Sequence, residues 1–172
     1  MCSSDLARAS LLEDAVSALR SEHQATLVVV HDRAEAWALA DRLLVLIEGR
    51  LAAAGPPRDL LEAPPTAAVA RFLGYDGSLQ DAGELVLTRP AHVLLDPGGP
   101  LTGRVTRAIA LEDGVRLEIE LESEAGRLYT VAPLPAPRLG DVVRLRVRGG
   151  VRFPGSPQAP EVAPAVPHER NP

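Results

Sequence analysis

The sequence predicts an α/β segment of helices and parallel strands over residues 1–74, followed by a small all-β barrel over 84–153. Three observations carry that division. Apolar residues recur at helical spacing early in the chain. The run Thr26-Leu27-Val28-Val29-Val30 is apolar and β-branched, the pattern of a strand buried on both faces of a parallel sheet. After residue 83 the apolar period becomes two, with turn signals at short intervals, which is the mark of small β architectures.

Taken in order, Leu12, Ala15, Val16 and Leu19 place an amphipathic helix over 7–21. The strand at 26–30 follows. Asp32, with Glu35 three residues on, is a capping-box arrangement for a helix from 33 to about 41. Leu43 to Glu48 reads as a strand, Gly49-Arg50 as a turn, and Leu51 to Ala53 as a short returning strand. Pro57 opens a helix through Glu62, and Pro64-Pro65 stops it. Thr66 caps a last helix holding Val69, Phe72 and Leu73, ended by Gly74. The polar, glycine-containing stretch 75–83 reads as a linker.

In the second part Val115, Leu117, Ile119 and Leu121 alternate with Arg116, Glu118, Glu120 and Glu122; Val143, Leu145 and Val147 alternate with Arg144, Arg146 and Arg148. Both are half-buried antiparallel strands, and shorter runs lie at 84–88, 92–95, 102–109 and 127–132. Pairing of the three arginines with Glu118, Glu120 and Glu122 across strands is the expected use of those charges. The tail 154–172, with prolines at 154, 157, 160, 164, 167 and 172, is expected to be disordered.

Composition narrows the chemistry. The 172 residues carry 18 arginines and no lysine, 23 acids and a formal charge of -5. Without lysine, neither Schiff-base catalysis nor a phosphate loop of the form GxxxxGK[ST] lies within these residues. One cysteine, Cys2, excludes disulfides and cysteine-rich zinc sites, and His23, His31, His92 and His168 are too dispersed for a local metal motif, so no metal ligand is assigned. The longest apolar run, Leu43 to Ile47, is far short of the roughly 20 residues of a membrane helix.

His31 is the residue with chemical promise. It stands directly after a parallel-type strand and directly before a helix, where open α/β sheets bind ligands and free N–H groups favour phosphate. By position alone, a histidine bonded to backbone at a strand end fits as well. The stretch from Thr26 to Leu43, including His31-Asp32, Glu35-Ala36, Leu39-Ala40 and Asp41-Arg42-Leu43, resembles the switch-histidine region of ABC-transporter ATPases. The resemblance runs on through Gly49-Arg50-Leu51, Gly55-Pro56-Pro57, Leu60, Pro64, Val69-Ala70 and Phe72-Leu73-Gly74. The β part, through Arg89-Pro90 and the Gly140-Asp141 turn, resembles the OB-like TOBE barrel at the C-terminus of importer ATPases. One departure is Val30, where that family has a small hydroxyl residue.

The resemblance implies a partial ABC-ATPase domain followed by a TOBE barrel, cut from an importer subunit that hydrolyses ATP with Mg²⁺. His31 would be both the catalytic residue and the contact to the ATP γ-phosphate. Implied partners are a second identical ATPase subunit, transmembrane permeases and an extracytoplasmic solute-binding protein, at the cytoplasmic face of a bacterial membrane. Only 30 residues precede His31, too few for the family's upstream phosphate loop, signature and Walker B motifs, so the chain is expected to be truncated and inactive alone. Met-Cys-Ser-Ser-Asp-Leu can be spelled, from a GTG start, by the end of a common sequencing adapter. Residues 1–6 are therefore expected to be non-native, with native sequence from about Ala7. The competing reading is a non-enzymatic module whose barrel takes an oxyanion or other small ligand. A nucleic-acid role is not expected, because Tyr129 and Phe153 are the only aromatics the barrel offers for base stacking.

Overall fold

The computed structural model describes residues 14, 16–19, 21, 25–30, 33–122 and 125–154. Residues 14, 16–19 and 21 are helical, within the helix expected at 7–21, and Val16 is buried there. The next element differs from expectation. Residues 25–30 belong to no strand, and Leu27 and Val29 are about four-fifths exposed. A parallel strand obtains its hydrogen bonds and its burial from neighbouring strands and covering helices, and the described residues place none beside this run. The helix Arg33–Leu39 follows. Asp32, its expected cap, lies outside the described residues, as does the tail beyond 154.

Strands β1 (Leu43–Ile47) and β2 (Arg50–Gly55) form an antiparallel hairpin, so the first part contains no parallel pair among its described residues. Glu48 and Gly49 both take positive φ, 51° and 72°, the tight turn that matches strand twist. The hairpin is two-faced. Val45 and Ala53 pack on Leu60 and Val69 of the following helices, whereas Leu44, Leu46 and Leu51 are more than half exposed. Helix Pro57–Glu62 has proline at its first turn, and helix Ala67–Phe72 is capped by Thr66, whose Oγ1 accepts from the Val69 N–H at 3.2 Å. Gly74 ends that helix at φ +93°, and an added Cβ there would collide with the Arg33 guanidinium. The positive φ favours glycine at this helix end, and a side chain there would make the Arg33 guanidinium shift aside.

The segment expected as a linker is part of the sheet. β3 (Gly77–Asp81) pairs with β4 (Glu84–Thr88) through a two-residue turn, Ala82-Gly83, again with positive φ at both positions. Tyr75 is buried at 3% exposure. The remaining strands are β5 (Val93–Leu95), β6 (Leu101–Leu111), β7 (Gly114–Leu121), β8 (Arg127–Ala132), β9 (Val142–Val147) and β10 (Val151–Pro154). They form one antiparallel sheet of eight strands in the order β10-β4-β3-β8-β7-β6-β9-β5. The sheet curls so that edge strand β5 meets β8, where the buried Thr130 hydroxyl donates to the Val93 carbonyl. Inside lie Leu117, Ile119, Leu128 and Leu145, each fully buried and worth roughly 1.5–3 kcal/mol of transfer free energy.

This strand order corrects the expected charge pairing. β6 lies between β7 and β9, so Arg144 and Arg146 do not face Glu118 and Glu120. Arg146 Nε instead binds Asp96 at 2.6 Å, and Arg144 Nε donates to the Gly99 carbonyl at 2.9 Å. Glu118 pairs with Arg127, and Glu122 with Arg104.

Candidate functional site

The site predicted from sequence centres on His31, which with Asp32 lies outside the described residues. Its frame is described on both sides. Residues 25–30 lead in as irregular chain, with Val30 half-buried. Arg33 begins the helix that follows and lays its guanidinium over Gly74. Trp37, on that helix, is 38% exposed. Among the described residues no group of three or more His, Cys, Asp or Glu could hold a metal, and no helix is long and apolar enough to cross a membrane.

A second polar cluster joins the two parts of the chain. Arg89 and Pro90, which carry the resemblance of the barrel, enter a short 3-10 turn, Pro90–His92. The Arg89 N–H donates to His92 Nδ1 at 3.3 Å, and the Arg89 guanidinium stands 5.1 Å from the centre of the Tyr75 ring. The His92 ring centre is 5.7 Å from that of Tyr75. The Tyr75 hydroxyl donates to the Leu61 carbonyl at 2.6 Å, and its ring packs with Ala70 and Leu87. Burial raises the Tyr75 pKa, with Arg89 opposing. Burial, aided by Arg89, lowers that of His92. The cluster is a clamp: residues of the sheet hold an aromatic ring against two helices of the first part. Composition could not reveal it, because Tyr75 sits in a stretch that reads as linker.

The arginine stripe of β9 is likewise committed. Arg146 also donates to the Gly98 carbonyl at 3.1 Å, so Arg144 and Arg146 together hold the 96–99 turn. The Arg146 hydrogen bond first, then the Gly98 N–H, keep the Asp96 carboxyl below its ordinary pKa.

No protein-family model matches the chain. Curated proteins do. The spermidine/putrescine import ATP-binding protein PotA of Methylococcus capsulatus is 34% identical over 122 residues, 70% of this chain and 31% of the relative. The Fe(3+) ions import ATP-binding protein FbpC of Streptomyces coelicolor is 32% identical over 151 residues, 81% of this chain and 40% of the relative. The chain belongs to the ABC importer ATP-binding subunits. A further importer subunit, FbpC of Streptomyces avermitilis, is 34% identical over 156 residues, 72% of this chain and 45% of the relative. A match over 81% of the chain is longer than either part alone, so the likeness to importer subunits spans both. The chain covers less than half the length of these relatives.

Proposed function

We propose that this chain is the switch-histidine end and accessory barrel of a subunit that hydrolyses ATP to drive solute import. What carries the reading is the run from Thr26 to Gly74, which resembles the family's switch region around His31. The names of the relatives, all import ATP-binding proteins, support it. So does the exposed apolar surface of the first part. Leu27, Val29, Leu44, Leu46 and Leu51 are each more than half exposed, apolar surface of the kind that a neighbouring part of a larger domain covers. In this reading the remainder of the ATPase domain covers them, and residues 26–30 become a strand of its parallel sheet. The boundary between ATPase part and TOBE-type barrel falls at residues 75–76.

His31 acts on the nucleotide. A neutral imidazole offers one N–H donor and one acceptor nitrogen. The donor reaches a γ-phosphate oxygen, and hydrogen bonding through the ring holds the attacking water in line. Phosphoryl transfer asks chiefly for such positioning and for charge neutralisation. ATP with Mg²⁺ supplies the transferred group. Its phosphate loop and metal ligands belong to residues outside this chain, since a chain without lysine cannot contain that loop. The 172 residues alone therefore bind no Mg²⁺-ATP productively. The partners are a second copy of the subunit, membrane permeases and an external solute-binding protein, and the place of work is the cytoplasmic membrane face.

The test is His31→Ala in the intact subunit. Turnover falls by about 10²-fold or more, the scale of a lost positioning group, while nucleotide affinity changes little. Unchanged turnover would remove His31 from the mechanism.

A further inference from the structure

The outer face of the central strands carries a pocket that the nucleotide reading does not use. Across β6, β7 and β8 the register aligns Arg107, Glu118 and Tyr129 in one row, with Ile109 opposite Arg116 in the next. Arg71, in the last turn of helix Ala67–Phe72, and Asp76, just ahead of β3, complete its lining from the first part of the chain. The concave space is about 530 Å³ and broadly open to solvent.

Its charges are unevenly satisfied. Asp76 Oδ2 is held by Arg116 at 3.4 Å, and that guanidinium also stands 5.5 Å from the centre of the Tyr129 ring. Glu118 is held by Arg127 at 3.1 Å although Arg107 is its register partner. Both carboxylates of the pocket are therefore engaged. Arg71 and Arg107 have no carboxylate partner among the described residues. Two guanidinium forks thus line one concave space with their donors unspent. Such forks match the paired oxygens of a carboxylate or phosphate and bind them bidentately. The space exceeds what a single inorganic ion fills, and Ile109 with the Tyr129 ring offers apolar surface for an organic body.

We propose that this pocket binds a small organic anion, its carboxylate or phosphate oxygens taken by Arg71 and Arg107 and its body lying over Ile109 and Tyr129. Arg71 belongs to the helical part and Arg107 to the sheet, so the bound anion ties the two together and its occupancy is felt at the junction. The proposal is independent of the role given to His31.

Calorimetry of the 172-residue chain with citrate and with inorganic phosphate tests it, alongside Arg71→Gln, Arg107→Gln and, as a control on a distant loop, Arg138→Gln. Circular dichroism checks that each variant is folded, and Arg107→Lys, which keeps the charge and loses the fork, serves should Arg107→Gln unfold. The expected result is binding of citrate or phosphate tighter than about 1 mM, weakened at least about tenfold by either glutamine variant or by the lysine variant and unchanged in the control. Binding of citrate alone identifies a carboxylate ligand, and of phosphate alone a phosphate ester. No measurable heat from either probe, or equal affinities in wild type and pocket variants, would overturn the proposal.

Discussion

Removing the Tyr75 ring should disconnect the helical part from the sheet. Tyr75 is 3% exposed, packs with Ala70 and Leu87, and gives its hydroxyl proton to the Leu61 carbonyl at 2.6 Å. Tyr75→Phe keeps the ring and deletes that bond, leaving a carbonyl short of a partner, at a cost of about 1–2 kcal/mol. Tyr75→Ala adds the loss of a buried aromatic and of the Arg89 contact, for a total of about 3–5 kcal/mol. The chain has one tryptophan, Trp37, on the helical side, so urea unfolding can be followed there by fluorescence and in the sheet by far-UV dichroism. In wild type the two transitions coincide. In Tyr75→Phe both move slightly to lower urea, and in Tyr75→Ala the Trp37 transition separates and falls first. If both variants stay within about 0.5 kcal/mol of wild type, the clamp contributes nothing and the reasoning fails.

Two further outcomes follow from the same structure. His92 is held below its ordinary pKa, so its neutral form is favoured by the fold. The unfolded chain therefore binds more protons near pH 6.5, and this contribution to stability is present above that pH and lost as pH falls below it. Thermal midpoints measured from pH 8 to 5 should drop less in His92→Gln than in wild type; parallel curves would contradict the assignment. Leu27→Thr with Val29→Thr, at positions about four-fifths exposed, should leave the midpoint of the isolated chain unchanged and reduce its light scattering. In the intact subunit the same pair should lower stability, because the parallel sheet proposed above would bury these side chains.

Much of the fold could be read from sequence wherever local pattern and tertiary environment agree. The alternation in β7 and β9 gave their inner faces, with Leu117, Ile119 and Leu145 fully buried. The Thr66 cap and the Pro57 start placed the beginnings of two helices to the residue. What escaped was non-local. β3 holds one buried apolar side chain, Leu79, among Gly77, Ser78, Gln80 and Asp81, so it reads as linker until β4 and β8 flank it. β10 follows Gly149-Gly150 and ends on Pro154, which only an edge strand tolerates. Residues 26–30 carry a strand pattern that needs neighbours the described chain lacks. The candidate site divides in the same way. His31 could be singled out because a strand-like apolar run, the histidine and a helix are consecutive in sequence. The Tyr75 clamp and the Arg71–Arg107 pocket are assembled from segments more than a dozen residues apart, which only topology brings together.

The most direct measurement of the central claim is a structure of the intact subunit dimer bound to a non-hydrolysable ATP analogue. The account predicts residues 26–30 as a strand within a parallel sheet and an imidazole nitrogen of His31 about 2.7–3.2 Å from a γ-phosphate oxygen. A His31 ring turned away from the phosphates, or residues 26–30 lying outside that sheet, would contradict it.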